Sequence, residues 1–177
     1  MHDVIGQSLD EAVKRLLPDA DSDLRQTVAE EYRRIYFERS RDFQPPLFDG
    51  VRGTLDALRD RGYLLGIVTG KSARGLRHVM EFHRLEPYFR VWRSSDQCPS
   101  KPHPAMVHEC MAELGVGQAH TSLVGDSHLD VQMAVNSGVR AIGVSFGAQP
   151  PAVLHREGAN IVVNQFAELI EHFPPLH

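Results

Sequence analysis

The chain has 177 residues, 42% of them hydrophobic and 24% charged, with a formal net charge of −4. That is the composition of one ordinary globular domain with room for a small helical appendage. No basic stripe suggests nucleic acid, no apolar run is long enough to span a bilayer, and no secretory leader pattern opens the chain, so a cytoplasmic protein is expected.

The first 46 or so residues have a helical pattern. Ser8-Leu-Asp-Glu11 resembles a capping box, and Leu9, Ala12, Val13, Leu16 and Leu17 fall on one helical face before Pro18 stops the run. Asp19-Ala-Asp21-Ser-Asp23 is expected to start a second helix, about Ser22 to Ser40. Leu24, Val28, Tyr32, Ile35 and Tyr36 would form its apolar stripe. Gln44-Pro-Pro46 then serves as a linker.

After Pro46 helices and strands alternate. A helix near Val51–Arg61 leads to the apolar run Tyr63–Val68, and a helix from Ser72 to Phe82 leads to the short strand Phe89–Trp92. A helix over Pro104–Leu114 precedes the strand Thr121–Val124, and a helix starting near Asp130 precedes Val139–Val144. Ile161–Val163 and a helix from Phe166 to Phe173 close the sequence. Apolar strands separated by helices imply an α/β fold: a Rossmann-like parallel sheet with helices on both faces. Trp92 and Phe89 are expected as core or strand-end packing.

Ligands of such sheets gather beyond the carboxyl ends of the strands. Two polar turns occupy these positions, Thr69-Gly70-Lys71-Ser72 and Gly125-Asp126-Ser127, the second continuing into His128-Leu-Asp130. The first offers a hydroxyl and backbone N–H groups to a phosphate. The second offers carboxylate oxygens to a hard cation. Between them, the prolines of Ser100-Lys101-Pro102-His103-Pro104 would aim a lysine in a fixed direction. Taken singly, each has a plainer explanation: aspartates after strands cap helices, Thr-Gly makes turns, and most lysines are solvated. Their joint order along the chain favours a phosphate or metal site. His103 and His128 stand near it without a ligand partner at helical spacing, so substrate contact or plain exposure is expected for both. Cys98 and Cys110 sit in no metal-binding spacing and are expected to be passive, reduced thiols.

Gly50 to Ser72 resembles the second-motif region of haloacid dehalogenase superfamily hydrolases, closest in style to the phosphoglycolate-phosphatase-like subgroup. Lys101-Pro-His-Pro104 resembles the third motif of that family and Val124-Gly-Asp-Ser-His-Leu-Asp-Val-Gln-Met-Ala134 its fourth. The resemblance runs from about residue 4 to 172. It implies that residues 1–46 are part of a helical cap and residues 47–177 the α/β core. It implies that Thr69 and Gly70 bind the transferring phosphoryl group, that Lys101 offsets charge on nucleophile and phosphate, and that Asp126 binds Mg²⁺. Asp130 would act through the water shell of the metal or by orienting Lys101. The implied activity is Mg²⁺-dependent hydrolysis of a small phosphorylated metabolite through an aspartyl-phosphate, with phosphoglycolate or a sugar phosphate as leading candidates.

The family's first motif, an apolar strand followed by Asp-x-Asp-Gly-Thr, is absent from these 177 residues. Its first aspartate is the nucleophile and its second the general acid/base. By resemblance the missing strand is central, between the strands ending at Thr69 and Asp126. Without it two sheet edges would be exposed or the sheet would split. A start set too late in a complete phosphatase is the expected cause, because Thr69, Lys101, Asp126 and Asp130 all keep their chemical types. The alternative is a catalytically inactive binding or interaction module. The sequence leaves the oligomeric state open.

Overall fold

The computed structural model describes residues 6–40 and 45–176. Met1–Ile5 and Gln44 of the expected linker lie outside the described residues.

Two helices come first, α1 (Leu9–Leu16) and α2 (Ser22–Ser40), packed on each other. Ser8 caps α1 by accepting from the Glu11 N–H, and Asp21 Oδ1 accepts from Leu24 N at 2.8 Å, so the aspartate cluster does start the second helix. Their seam uses Val13 and Ala29, both buried. The expected stripe of α2 is not that seam: Leu24, Val28, Tyr32 and Ile35 remain exposed. A small alanine admits close helix approach, and Arg25 closes the same side by donating to the Leu17 and Pro18 carbonyls.

The α/β part follows as α3 (Val51–Asp60), β1 (Leu65–Thr69), α4 (Ala73–His83), β2 (Phe89–Ser94) and α5 (Ala105–Leu114). Then come β3 (Ser122–Gly125), α6 (His128–Ser137), β4 (Arg140–Val144), α7 (Pro151–Arg156) and β5 (Ile161–Val163). The helix expected from Phe166 to Phe173 is a 3-10 segment, Phe166–His172.

All strand pairs are parallel, in two separate sheets: β1 beside β2, and β3-β4-β5. Among the described residues no ladder joins β1 to β3, so the sheet is split at the place where a central strand was expected. Helices hold the halves together on both faces. On one, α5 and α6 cover a cluster that includes Met106, Val107, Leu123 and Val131, against which Val68 of β1 packs. On the other, α3 and α4 bury Leu55, Leu76 and Met80 against Leu65 and Ile67, while the 3-10 segment places Leu169 on Ile142 and Val144. Arg61, just past α3, ties these last elements by donating to the Ile170 and Phe173 carbonyls at 2.5 and 2.7 Å. The split still leaves a mark, since Val124 in β3 is 38% exposed.

Cys98 and Cys110 are buried free thiols, and burial pushes Cys110 up to about 11 and raises Cys98 too. Both are therefore poor nucleophiles at neutral pH. Trp92 is 42% exposed, contrary to its expected packing, because alternate residues of β2 point away from the core. No helix among the described residues is long and apolar enough to cross a membrane.

Candidate active site at the strand ends

Thr69 closes β1, and its hydroxyl accepts from the Lys71 N–H at 3.1 Å. The hydroxyl hydrogen is thus left to donate elsewhere. The loop is held from the neighbouring strand, where Ser95 N donates to the Lys71 carbonyl at 3.1 Å. Ser72 caps α4, and the Asp96 carboxylate accepts from Ala73 N.

At the end of β3, Asp126 is half-buried and Asp130 buried. Asp126 Oδ2 accepts from Ala148 N at 2.9 Å, in the loop after β4. Asp130 lies in the first turn of α6, where Ser127 and Asp130 form a complete capping box. Its Oδ2 accepts from Ser127 N at 3.1 Å and Ser127 Oγ at 2.6 Å, and its Oδ1 receives Lys101 Nζ at 2.6 Å. The Lys101 and Asp130 side chains are only 9% and 8% exposed. Burial works to raise the Asp130 carboxyl, but the Lys101 ammonium and the Ser127 hydrogen bonds outweigh it and hold the group below the usual carboxylate range. Lys101 itself reaches Asp130 from a loop fastened by Asn136, whose amide donates to the Pro102 carbonyl at 2.9 Å.

Both carboxylates need glycines beside them. A Cβ at Gly125 would overlap Asp130, and one at Gly147 would overlap the Cβ and Oδ2 of Asp126. Gly147→Val is expected to displace Asp126 and to cost about 1–3 kcal/mol in chemical denaturation. Unchanged stability would contradict this close approach.

The α1–α2 unit also reaches the site. Gly6 lies against Ser127, and the Gln7 carbonyl oxygen is 2.7 Å from where a Cβ of Gly70 would stand. Residues 6 and 7 thus bridge the ends of β1 and β3. Sequence reasoning missed this role, and nothing in Gly-Gln announces it. It also missed Gly147 and Ala148, although an apolar strand ending near a glycine was a usable signal.

Of the expected residues, Lys101 and Asp130 are brought into direct contact, Thr69 and Gly70 form the turn at the end of β1, and Asp126 stands at the end of β3. His103 is exposed and its Nδ1 accepts from Ala105 N, while His128 is half-buried. No cluster of three or more His, Cys, Asp or Glu that could hold a metal occurs among the described residues. Asp130 has both oxygens engaged, which leaves Asp126 Oδ1 as the carboxylate oxygen at these strand ends that accepts no hydrogen bond from the described residues.

Parallel strands in helical layers, with a buried cation–carboxylate pair at their carboxyl ends, define a Rossmann-like α/β protein with a polar strand-end site. The sequence matches the haloacid dehalogenase-like hydrolase family over residues 1–144. A Dickeya dadantii protein named Probable phosphatase IndB is 32% identical over 94% of this chain and 74% of its own length. A phosphoglycolate phosphatase from Photobacterium profundum is 28% identical, over 95% of this chain and 73% of its own. Among solved structures, a predicted phosphatase from Clostridium acetobutylicum superposes with a TM-score of 0.83 at 26% identity, covering 97% of this chain and 79% of that one. The chain belongs to the haloacid dehalogenase-like hydrolase family, and it spans about three quarters of the length of these curated relatives.

Proposed function

We propose that this chain forms the greater part of a Mg²⁺-dependent phosphatase of small phosphorylated metabolites. Its nucleophilic aspartate would arrive on a strand between β1 and β3 that this sequence does not contain. The observation that carries the proposal is the buried Lys101–Asp130 pair beside Asp126, at the end of a sheet split where that strand belongs. Relatives named as phosphatases support the reaction class.

The roles follow from the geometry. The Thr69 hydroxyl and the N–H of Gly70 would hydrogen-bond the phosphoryl oxygens. Lys101, with ammonium protons beyond the one given to Asp130, would offset charge on phosphate and nucleophile. Asp130 would orient Lys101, since its own oxygens are engaged. The Oδ1 of Asp126, which accepts no hydrogen bond from the described residues, fits a hard cation that keeps water and phosphate in its shell. Mg²⁺, when bound, would supply neutralising charge at the phosphoryl oxygens. Residues 1–46 would act as part of a cap whose Gly6–Gln7 turn overlies the site, with residues 47–177 as the core. A cytoplasmic location is proposed on composition alone.

The test extends the chain at its N-terminus with the apolar strand and Asp-x-Asp-Gly-Thr of a relative, then offers phosphoglycolate, sugar phosphates and pyrophosphate. Phosphate release that requires Mg²⁺ and stops with EDTA is expected. A folded extended chain that turns over none of them would overturn the proposal. That outcome would favour a noncatalytic binding module.

A further inference from the structure

The loop after β4, residues 145–149, is what fixes the Asp126 carboxylate. Ala148 N donates to Asp126 Oδ2 at 2.9 Å, and Gln149 N donates to the Asp126 carbonyl at 3.1 Å. Gly147 lies so close that a Cβ there would stand 2.2 Å from the Asp126 Cβ. Which carboxylate oxygen is offered to a ligand therefore depends on where this loop sits. A retreat of the loop by about 1 Å would stretch the Ala148 bond past hydrogen-bonding distance.

Two other segments fasten the loop. At its start Ser145 N donates to the Val163 carbonyl at 3.0 Å and Ser145 Oγ donates to Asn164 Oδ1 at 2.8 Å, which ties it to β5. The next residue, Phe146, meets two rings. Phe166, just after β5, has its centroid 6.3 Å away, and Phe48 stands edge-on at 5.0 Å and 63°. Phe48 comes from a different part of the chain, the segment that joins the α1–α2 unit to α3. Open space borders this pair, since a cleft of about 460 Å³ is lined by both rings together with Gly50, Asn164 and Ala167. Phe48 is itself 56% exposed, so its ring adds little to the core.

We propose that Phe48 is a positioning residue for Asp126, acting through Phe146 and the loop that follows it. The Phe48 ring holds Phe146, Phe146 sets the position of Gly147 and Ala148, and Ala148 occupies Oδ2 so that Oδ1 is the oxygen offered. An edge-to-face aromatic pair suits this task, because its geometry is directional as well as apolar. Orienting a ligating group through a partner on its other atom is how outer residues tune a metal site. That Asp126 then serves Mg²⁺ rests on the phosphatase proposed above. The hold of Phe48 on Ala148 does not.

Amide hydrogen exchange of the metal-free 177-residue chain tests the positioning. Phe48→Ala is expected to speed exchange at Ala148 and Gln149 by about tenfold, the scale of losing one aromatic pair. The Ala141 amide in β4, bonded to Asn160 Oδ1, should not change. Phe48→Tyr, which keeps the ring, should restore protection. Unchanged exchange at Ala148 in Phe48→Ala overturns the proposal. An equal rise at Ala141 also overturns it, by making Phe48 a general packing residue, and so does a failure of Phe48→Tyr to restore protection. A second arm uses the strand-extended chain, in which Phe48→Ala should raise the Mg²⁺ concentration for half-maximal phosphate release by about tenfold. Turnover at saturating Mg²⁺ should change far less. An unchanged Mg²⁺ requirement overturns the link to the metal. An extended chain that hydrolyses nothing counts against the phosphatase alone, and the exchange result still decides the role of Phe48.

Discussion

Removing either partner of the Lys101–Asp130 pair is expected to destabilise the folded chain by about 3–5 kcal/mol, because the other is left as an uncompensated buried charge. Lys101→Met strands a carboxylate that is only 8% exposed. Asp130→Ala should cost at least as much, since it also removes the acceptor for Ser127 N and Oγ and with it half of the capping box of α6. Urea unfolding of the two variants measures this, and losses under 1 kcal/mol would contradict the geometry. The pair also sets an acid limit. Asp130 has its folded pKa depressed, so its contribution is present above the ordinary carboxylate value and is lost as pH falls through the lowered one. Stability of the unsubstituted chain should therefore fall on acidification below about pH 4. Lys101→Met should show a shallower fall there, because the cation that depresses Asp130 is gone.

Asp126→Ala is expected to reduce phosphate release by the strand-extended chain on the order of 10³-fold, the scale of losing one strong electrostatic contributor to a transition state. Stability should change little by comparison, since a half-buried carboxylate with one backbone partner is removed. Activity and unfolding measured on the same preparation separate the two effects. Activity within tenfold of the unsubstituted protein would remove Asp126 from the proposed metal site. Extra Mg²⁺ should rescue Asp126→Glu, which keeps the carboxylate, better than Asp126→Ala.

The parallel α/β architecture was legible because its strands are short apolar runs bounded by turn residues. Ile161–Val163 and Ser22–Ser40 were located to the residue. The expectation of exposed edges or a split sheet came from the family resemblance, and the unjoined β1 and β3 agree with it. α7 was not anticipated, although its start at Pro151 fits the tolerance of proline at the first helical position. The expected α2 stripe is not the face that α1 covers, and Leu24, Val28, Tyr32 and Ile35 stay exposed. Periodicity finds an apolar face but cannot say which neighbour covers it, and the seam with α1 is made instead by Ala29.

In the candidate site, residues carrying charge or a hydroxyl at strand ends could be picked out one by one. Their pairing could not. Whether Asp130 serves a metal or a lysine depends on side-chain directions, and only the structure puts Lys101 Nζ on one oxygen and Ser127 on the other. The contributions of Gly147, Ala148 and Gly6 come from loops distant in sequence, whose approach is set by the packing of whole elements.

The most direct measurement compares the 177-residue chain and its strand-extended form side by side, hydrolysing an aryl phosphate with Mg²⁺. The extended form is expected to turn over and the unextended chain to show only background release. Turnover by the unextended chain that disappears with Asp126→Ala would contradict a nucleophile supplied from outside this sequence. No turnover by either folded form would contradict the phosphatase itself.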